Sequence, residues 1–198
     1  IFINYIYKME NKVVVITGGS SGAGESLAYK FSREGYDVVI GGTNLERLKN
    51  VQSKIKLYGS KCELVVHDVS VKKEVKKLID HTISSFGRLD VLICNAGISY
   101  RSVFEHANLD VFEKLFKINF FGSIYSVKYS IPHLIKTNGS IIAISSLNGF
   151  IATPTRSAYV SSKHAVQGFF DSIRLELKNK DVHVMVASPG YFESNFRK

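Results

Sequence analysis

The sequence predicts an α/β fold in which a doubly wound parallel sheet carries helices on both faces, a three-layer α/β/α arrangement. Six short runs rich in β-branched residues alternate with longer segments whose apolar residues recur every three or four positions, the pattern of successive βαβ units. The strand-like runs are continuously apolar, which reads as burial of both sheet faces. No repeat, low-complexity tract or Pro/Gly-rich linker interrupts the 198 residues, so one domain is expected, spanning 9–198.

The elements follow in order. Strand 12–17 (Lys-Val-Val-Val-Ile-Thr) runs into a glycine-rich loop and a helix over 24–34. Strand 37–41 precedes a helix over 44–58, and strand 62–67 precedes a helix over 72–86. In that last helix Val71, Val75, Leu78 and Ile79 form the apolar stripe, while Lys72, Lys73, Lys76 and Lys77 decorate the outer face. Strand 91–95 leads to a long helical pattern over 109–134, which Pro132 is expected to terminate. Asn138-Gly139-Ser140 reads as a turn into strand 140–145 rather than a glycosylation acceptor. A helix over 158–178 and a strand over 182–187 complete the pattern.

Charge and composition narrow the function classes. The formal net charge is +9, from 26 Lys and Arg against 17 Asp and Glu, but the lysines are scattered and no nucleic-acid motif accompanies them. The basic surface is read as solvated, without a nucleic-acid partner. Cys62 and Cys94 each sit in or beside a buried strand, which indicates no disulfide framework and a reducing, cytoplasmic setting. No apolar stretch approaches a bilayer span of roughly 18 residues. Met9 reads as a native start; residues 1–8 lie outside the core as the remainder of a longer engineered chain, of a longer reading frame or of a membrane-proximal segment.

Chemistry enters at the first loop, Thr17-Gly18-Gly19-Ser20-Ser21-Gly22-Ala23-Gly24, set between a strand and a helix. Glycines there let the backbone approach a pyrophosphate, and the helix start offers N–H groups to its oxygens. Farther on, Tyr159 and Lys163 stand four apart on a helical pattern and share one face, and an ammonium beside a phenol moves the phenol pKa toward neutrality. Ser145-Ser146 ends an apolar strand thirteen residues upstream of Tyr159, and Asn119 precedes that strand.

The Thr-Gly-x-x-x-Gly-x-Gly spacing and the Asn119, Ser146, Tyr159 and Lys163 set resemble the short-chain dehydrogenase/reductase family, and stretches 138–149 and 157–174 look like its hydroxysteroid dehydrogenase branch. The resemblance implies a Rossmann-like fold and a hydride transfer between a nicotinamide and a carbonyl or secondary alcohol. It assigns Tyr159 as proton donor to the substrate oxygen and Ser146, by the family's spacing rather than Ser145, as that oxygen's hydrogen-bond partner. Lys163 would lower the Tyr159 pKa and hold the nicotinamide ribose, and Asn119 would support a water relay.

The resemblance further implies dinucleotide contacts from Gly18, Ser20, Ser21, Gly22, Ala23 and Gly24, and from Thr43 and Asn44 after the second strand. Asp68 and Val69, Asn95-Ala96-Gly97, Pro189-Gly190 and Ser194 would complete the set. No carboxylate stands in Gly41-Gly42-Thr43-Asn44 to accept the ribose hydroxyl of NAD, whereas Ser20, Thr43, Asn44 and Arg47 suit a 2′-phosphate, so NADP(H) is favoured. The alternative is a non-catalytic dinucleotide-binding regulator or scaffold, against which the intact tetrad argues. Family members continue past the Pro-Gly turn, so the chain is read as truncated after its sixth strand, lacking the substrate-loop region. A homodimer or homotetramer is expected of the full-length protein.

Overall fold

In a computed structural model of the chain, residues 11–190 are described. The elements are β1 (Val13–Thr17), α1 (Gly22–Arg33), β2 (Asp37–Gly42), α2 (Leu45–Lys56), β3 (Cys62–Val66), α3 (Lys72–Phe86), β4 (Val91–Cys94), α4 (Leu109–Leu115), α5 (Gly122–Thr137), β5 (Ser140–Ile144), α6 (Ser157–Glu176) and β6 (His183–Ala187). All paired strands are parallel, in the order β3-β2-β1-β4-β5-β6. The expected doubly wound sheet is therefore present, with strand order reversing between β1 and β4.

Successive strand residues point to opposite faces, and each face meets its own helices. Val14, Ile16, Val38, Ile40 and Ile93 pack with Ala28 of α1 and Leu48, Val51 and Ile55 of α2. Val13, Val15, Leu92, Ile141 and Val184 pack with Leu78 and Ile79 of α3, Leu134 of α5 and Phe170 and Ile173 of α6. Burial on both faces holds for β1, β2 and β4. It fails toward the margins, a correction to the expectation: Val66 of β3 and His183 and Met185 of β6 are exposed.

The expected single helix over 109–134 is instead three pieces. α4 passes into a π-helical turn, Phe116–Phe121, and then α5, which accommodates Pro132 and runs on to Thr137. α5 ends where Asn138 adopts a left-handed conformation (φ 50°) and Gly139 N–H returns to the Leu134 carbonyl, at 2.9 Å. Val71, expected on the apolar stripe of α3, is its exposed N-terminal flank, and Lys76 of the outer face pairs with Asp80 at 2.6 Å. Cys62 and Cys94 are free and buried, and burial pushes both thiols up to about 12.

Phe170 is a large fully buried side chain among the described residues and joins α6 to β5 and β6. Truncation by Phe170→Ala is expected to remove about 3–5 kcal/mol of stability, read as a lower urea midpoint with an unchanged slope.

Candidate active site

The site begins where the strand order reverses, because there the helices following β1 and β4 leave toward opposite faces and open a crevice beyond the strand ends. Thr17, buried at the end of β1, closes the base of that crevice. Its hydroxyl donates to the Ile93 carbonyl (3.3 Å) and accepts the N–H groups of Asn95 (3.0 Å) and Ala96 (3.2 Å). The Asn95 amide reaches back to the Thr17 and Gly18 carbonyls at 3.0 and 3.1 Å. The glycine-rich loop is thus fastened to the end of β4.

Two glycines are required by this packing. Gly18 has φ +66°, and a Cβ on it would stand 2.8 Å from the Ala96 Cα; a Cβ on Gly24 would stand 2.2 Å from the Gly18 carbonyl oxygen. Ser21 precedes α1 without a side-chain capping bond, so the first-turn N–H groups of α1 have no hydroxyl partner from it. Together with the helix dipole they form a site suited to a pyrophosphate.

A continuous cleft of about 720 Å³ runs from this loop past the ends of β2 and β3 on one side and β5 on the other. At the β2 end lie Gly42, Thr43, Asn44, Arg47, Asp68 and Val69. Asn44 also caps α2, its amide oxygen accepting the Arg47 N–H at 3.0 Å. His67 was not anticipated. It is buried beside Gly41, burial lowers its pKa, and its Nε2 has no partner among the described residues.

At the β5 end the strand stops at Ile144 and a turn of 3-10 helix, Leu147–Gly149, follows. Ser145 is buried with its hydroxyl unpartnered, whereas Ser146 is half-buried, caps that turn by accepting the Asn148 N–H at 3.2 Å, and hydrogen-bonds the Tyr159 side chain. Tyr159 and Lys163 project from the same face of α6, one turn apart, and both are buried. Lys163 Nζ donates to the Ile144 carbonyl at 2.8 Å and lies 5.8 Å from the centre of the Tyr159 ring.

The electrostatics depart from the simple phenol–ammonium expectation. Burial pushes the Tyr159 phenol above its ordinary value, opposed by the Ser146 hydrogen bond and the Arg156 charge. Lys163 is not among these effects, because its ammonium loses its proton before the phenol ionises. Burial in turn brings the Lys163 ammonium down to about 8.

Comparison with known proteins decides the family. The family model described as "short chain dehydrogenase" matches residues 12–198. The chain belongs to the short chain dehydrogenase family. Curated relatives include an "11-beta-hydroxysteroid dehydrogenase" of Pinus massoniana, 36% identical over 99% of this chain, and "11-beta-hydroxysteroid dehydrogenase-like 4A" of Arabidopsis thaliana, 40% identical over 94%. The chain spans 55% and 63% of the lengths of those two relatives. A solved alcohol dehydrogenase of Thermococcus sibiricus complexed with 5-hydroxy-NADP superposes with TM-score 0.91 at 28% identity, covering 94% of this chain and 79% of that one. A Burkholderia phymatum short chain dehydrogenase/reductase in complex with NAD gives TM-score 0.91 at 25% identity, covering 96% and 69%.

In this member of the family the predicted cofactor residues line the cleft except for two. Gly24 lies beneath the loop, where it permits close packing, and Ser194 falls outside the described residues. Asn119 does not line the cleft either. Buried in the π-helical turn, it accepts the Ile98 N–H (2.8 Å) and donates to the Ile98 carbonyl (3.0 Å) and Ser162 Oγ (3.0 Å), so its side chain braces the wall. Ile98, Ser162 and Arg156 were not singled out from the sequence. Arg156 stands one helical turn before Tyr159, a spacing that could have flagged it.

Among the described residues no helix is long and apolar enough to cross a membrane. The depressed Lys163 predicts a pH effect on this domain's stability. Between about 8 in the native state and the ordinary 10.5 of the unfolded chain, the unfolded state binds the extra proton, so this group's contribution to stability rises with pH across that window. Denaturant titrations at pH 7.5 and pH 10 are expected to show a gain that Lys163→Met abolishes.

Proposed function

We propose that the protein is an NADP(H)-dependent oxidoreductase that moves a hydride between the nicotinamide and a carbonyl or secondary alcohol carbon. The observation that carries this reading is the convergence of the Ser146 hydroxyl, the Tyr159 phenol and the Lys163 amine on one cleft that is continuous with the glycine-rich loop. The residues present fit a dinucleotide. The close approach at Gly18 and Gly24, the start of α1 and the unpartnered Nε2 of His67 all lie along one groove or directly beneath it.

A bound NADPH supplies a hydride, and the protein's own groups do the rest. Ser146 and Tyr159, already hydrogen-bonded to each other, present two hydroxyls to one substrate oxygen and stabilise the negative charge that grows there. Tyr159 then gives that oxygen its proton. Its raised pKa keeps the phenol protonated at neutral pH, which is the form that carbonyl reduction requires. In the alcohol-oxidising direction the same oxygen accepts the proton. Lys163, whose amine is close to half-charged near pH 8, can pass a proton toward Tyr159 and hold a ribose hydroxyl. Asn119 is a positioning residue that fixes Ile98 and, through Ser162, the turn of α6 bearing Tyr159.

The preference for NADP(H) is supported by the groups at the end of β2. No carboxylate stands at Gly42 or Thr43, while Ser20, Thr43 and Arg47 face the same cleft and suit a 2′-phosphate. The two solved neighbours, one with an NADP derivative and one with NAD, show that either nucleotide can occupy a fold of this kind. Two buried free thiols fit a reducing compartment.

Tyr159→Phe is expected to lower turnover of NADPH with a panel of ketones and aldehydes by about 100-fold or more while NADPH binding stays within a few-fold; turnover unaffected by the substitution sinks the mechanism, and binding without turnover in the wild type points to a regulator. A Cβ at Gly42 would meet Ser20 Oγ at 3.3 Å, so Gly42→Asp sets a carboxylate beside the proposed phosphate subsite. Its fluorescence titration is expected to show NADPH weakened at least about tenfold relative to NADH. Tighter NADH than NADPH binding by the unaltered protein overturns the cofactor preference.

A further inference from the structure

Arg156 is the residue before α6 and lines the cleft together with Tyr159. Its guanidinium carbon lies 5.9 Å from the centre of the Tyr159 ring, and its Nη1 donates to Ser99 Oγ at 3.0 Å. No carboxylate forms an ion pair with Arg156 among the described residues, although the guanidinium carries five N–H donors and only one such bond to a side chain is made. A half-buried arginine with an unpaired charge, held in place from behind by a serine hydroxyl, is set up to receive an anion from the cleft.

The surroundings define the rest of the ligand. Lys114 of α4 also lines the cleft and has no carboxylate ion-pair partner among the described residues. Among the described residues the one carboxylate on the cleft wall is Asp68, at the β3 end. Ile98, Ile118, Leu147 and Ile151 give the cleft an apolar lining, with Leu147 and Ile151 47% and 59% exposed, and the polar Asn148 and Thr153 on the same wall are hydrogen-bonded to each other at 3.0 Å. A neutral, purely apolar substrate would leave the Arg156 charge partly desolvated without compensation.

We infer that Arg156 is a substrate-specificity residue and that the substrate is an oxo acid, an apolar carbonyl compound whose carboxylate docks on Arg156 while its carbonyl oxygen meets Ser146 and Tyr159. The inference rests on the oxidoreductase reading for the role of that carbonyl, but the anion subsite is a property of binding alone. An arginine so close to the phenol also acts on the reaction, since its charge opposes the rise that burial imposes on Tyr159. An anion neutralising Arg156 would weaken that opposition and favour the protonated phenol that reduction uses.

Calorimetric titration of the protein, with and without NADP+, uses 4-oxononanoate and its methyl ester, a pair sharing tail and ketone but differing in charge. The acid is expected to bind about tenfold tighter than the ester. Arg156→Met is expected to bring the two within about twofold, whereas Arg156→Lys retains a preference for the acid, and thermal melts report that each variant is folded. Acid no tighter than ester in the wild type, including no measurable binding of either, overturns the inference, as does an acid preference that survives Arg156→Met. Because the readout is binding, loss of the oxidoreductase reading through the Tyr159→Phe experiment and loss of the anion subsite are separate results.

Discussion

The clamp between the ends of β1 and β4 is the constraint on which the rest of the site depends. One buried hydroxyl, that of Thr17, takes two backbone N–H groups from the β4 end and gives its proton to a carbonyl there, while the Asn95 amide returns two bonds to the glycine-rich loop. Buried polar groups of this kind are costly unless every one is satisfied, and here they satisfy one another. The result is a loop whose backbone is held open toward the cleft, with glycine at the two points of closest approach.

From that fixed edge the two halves of the cleft inherit their positions through the sheet. β2 and β3 bring Gly42, Thr43 and Asp68 to one side, and β5 brings Ser146 to the other, because parallel register aligns the strand ends. α6 is held against β5 and β6 by Val166, Phe170 and Ile173, and this packing sets the height at which Tyr159 and Lys163 meet Ser146. The π-helical turn between α4 and α5 has a comparable role. It places Asn119 where its amide can tie Ile98 to Ser162 across the back of the wall.

Burial governs the chemistry of the cluster more than pairing does. Desolvation raises the Tyr159 phenol and lowers the Lys163 ammonium, so both groups are shifted toward their neutral forms. Under the proposed mechanism, a neutral acid and a readily deprotonated amine would exchange a proton without a fixed ion pair. Arg156 supplies the permanent charge instead, at the edge of the cluster and within reach of the cleft.

The sequence by itself determined the α/β class, the order of elements, the glycine-rich loop and the one-turn spacing of Tyr159 and Lys163, because hydrophobic period and local spacing are properties of contiguous residues. It could not separate Ser145 from Ser146 on physical grounds; only the turn after β5, which buries the first and directs the second to Tyr159, makes that choice. It overstated the reach of Pro132, since a proline inside an otherwise packed helix is tolerated when its neighbours hold the helix in place. Gly24, Asn44 and Asn119 were legible as site residues, yet tertiary packing gives their groups structural partners: the Gly18 carbonyl, the Arg47 N–H and Ile98 with Ser162. The buried, unpartnered Nε2 of His67 and the lack of a carboxylate partner for Arg156 among the described residues emerge only in three dimensions, because both depend on residues distant in sequence.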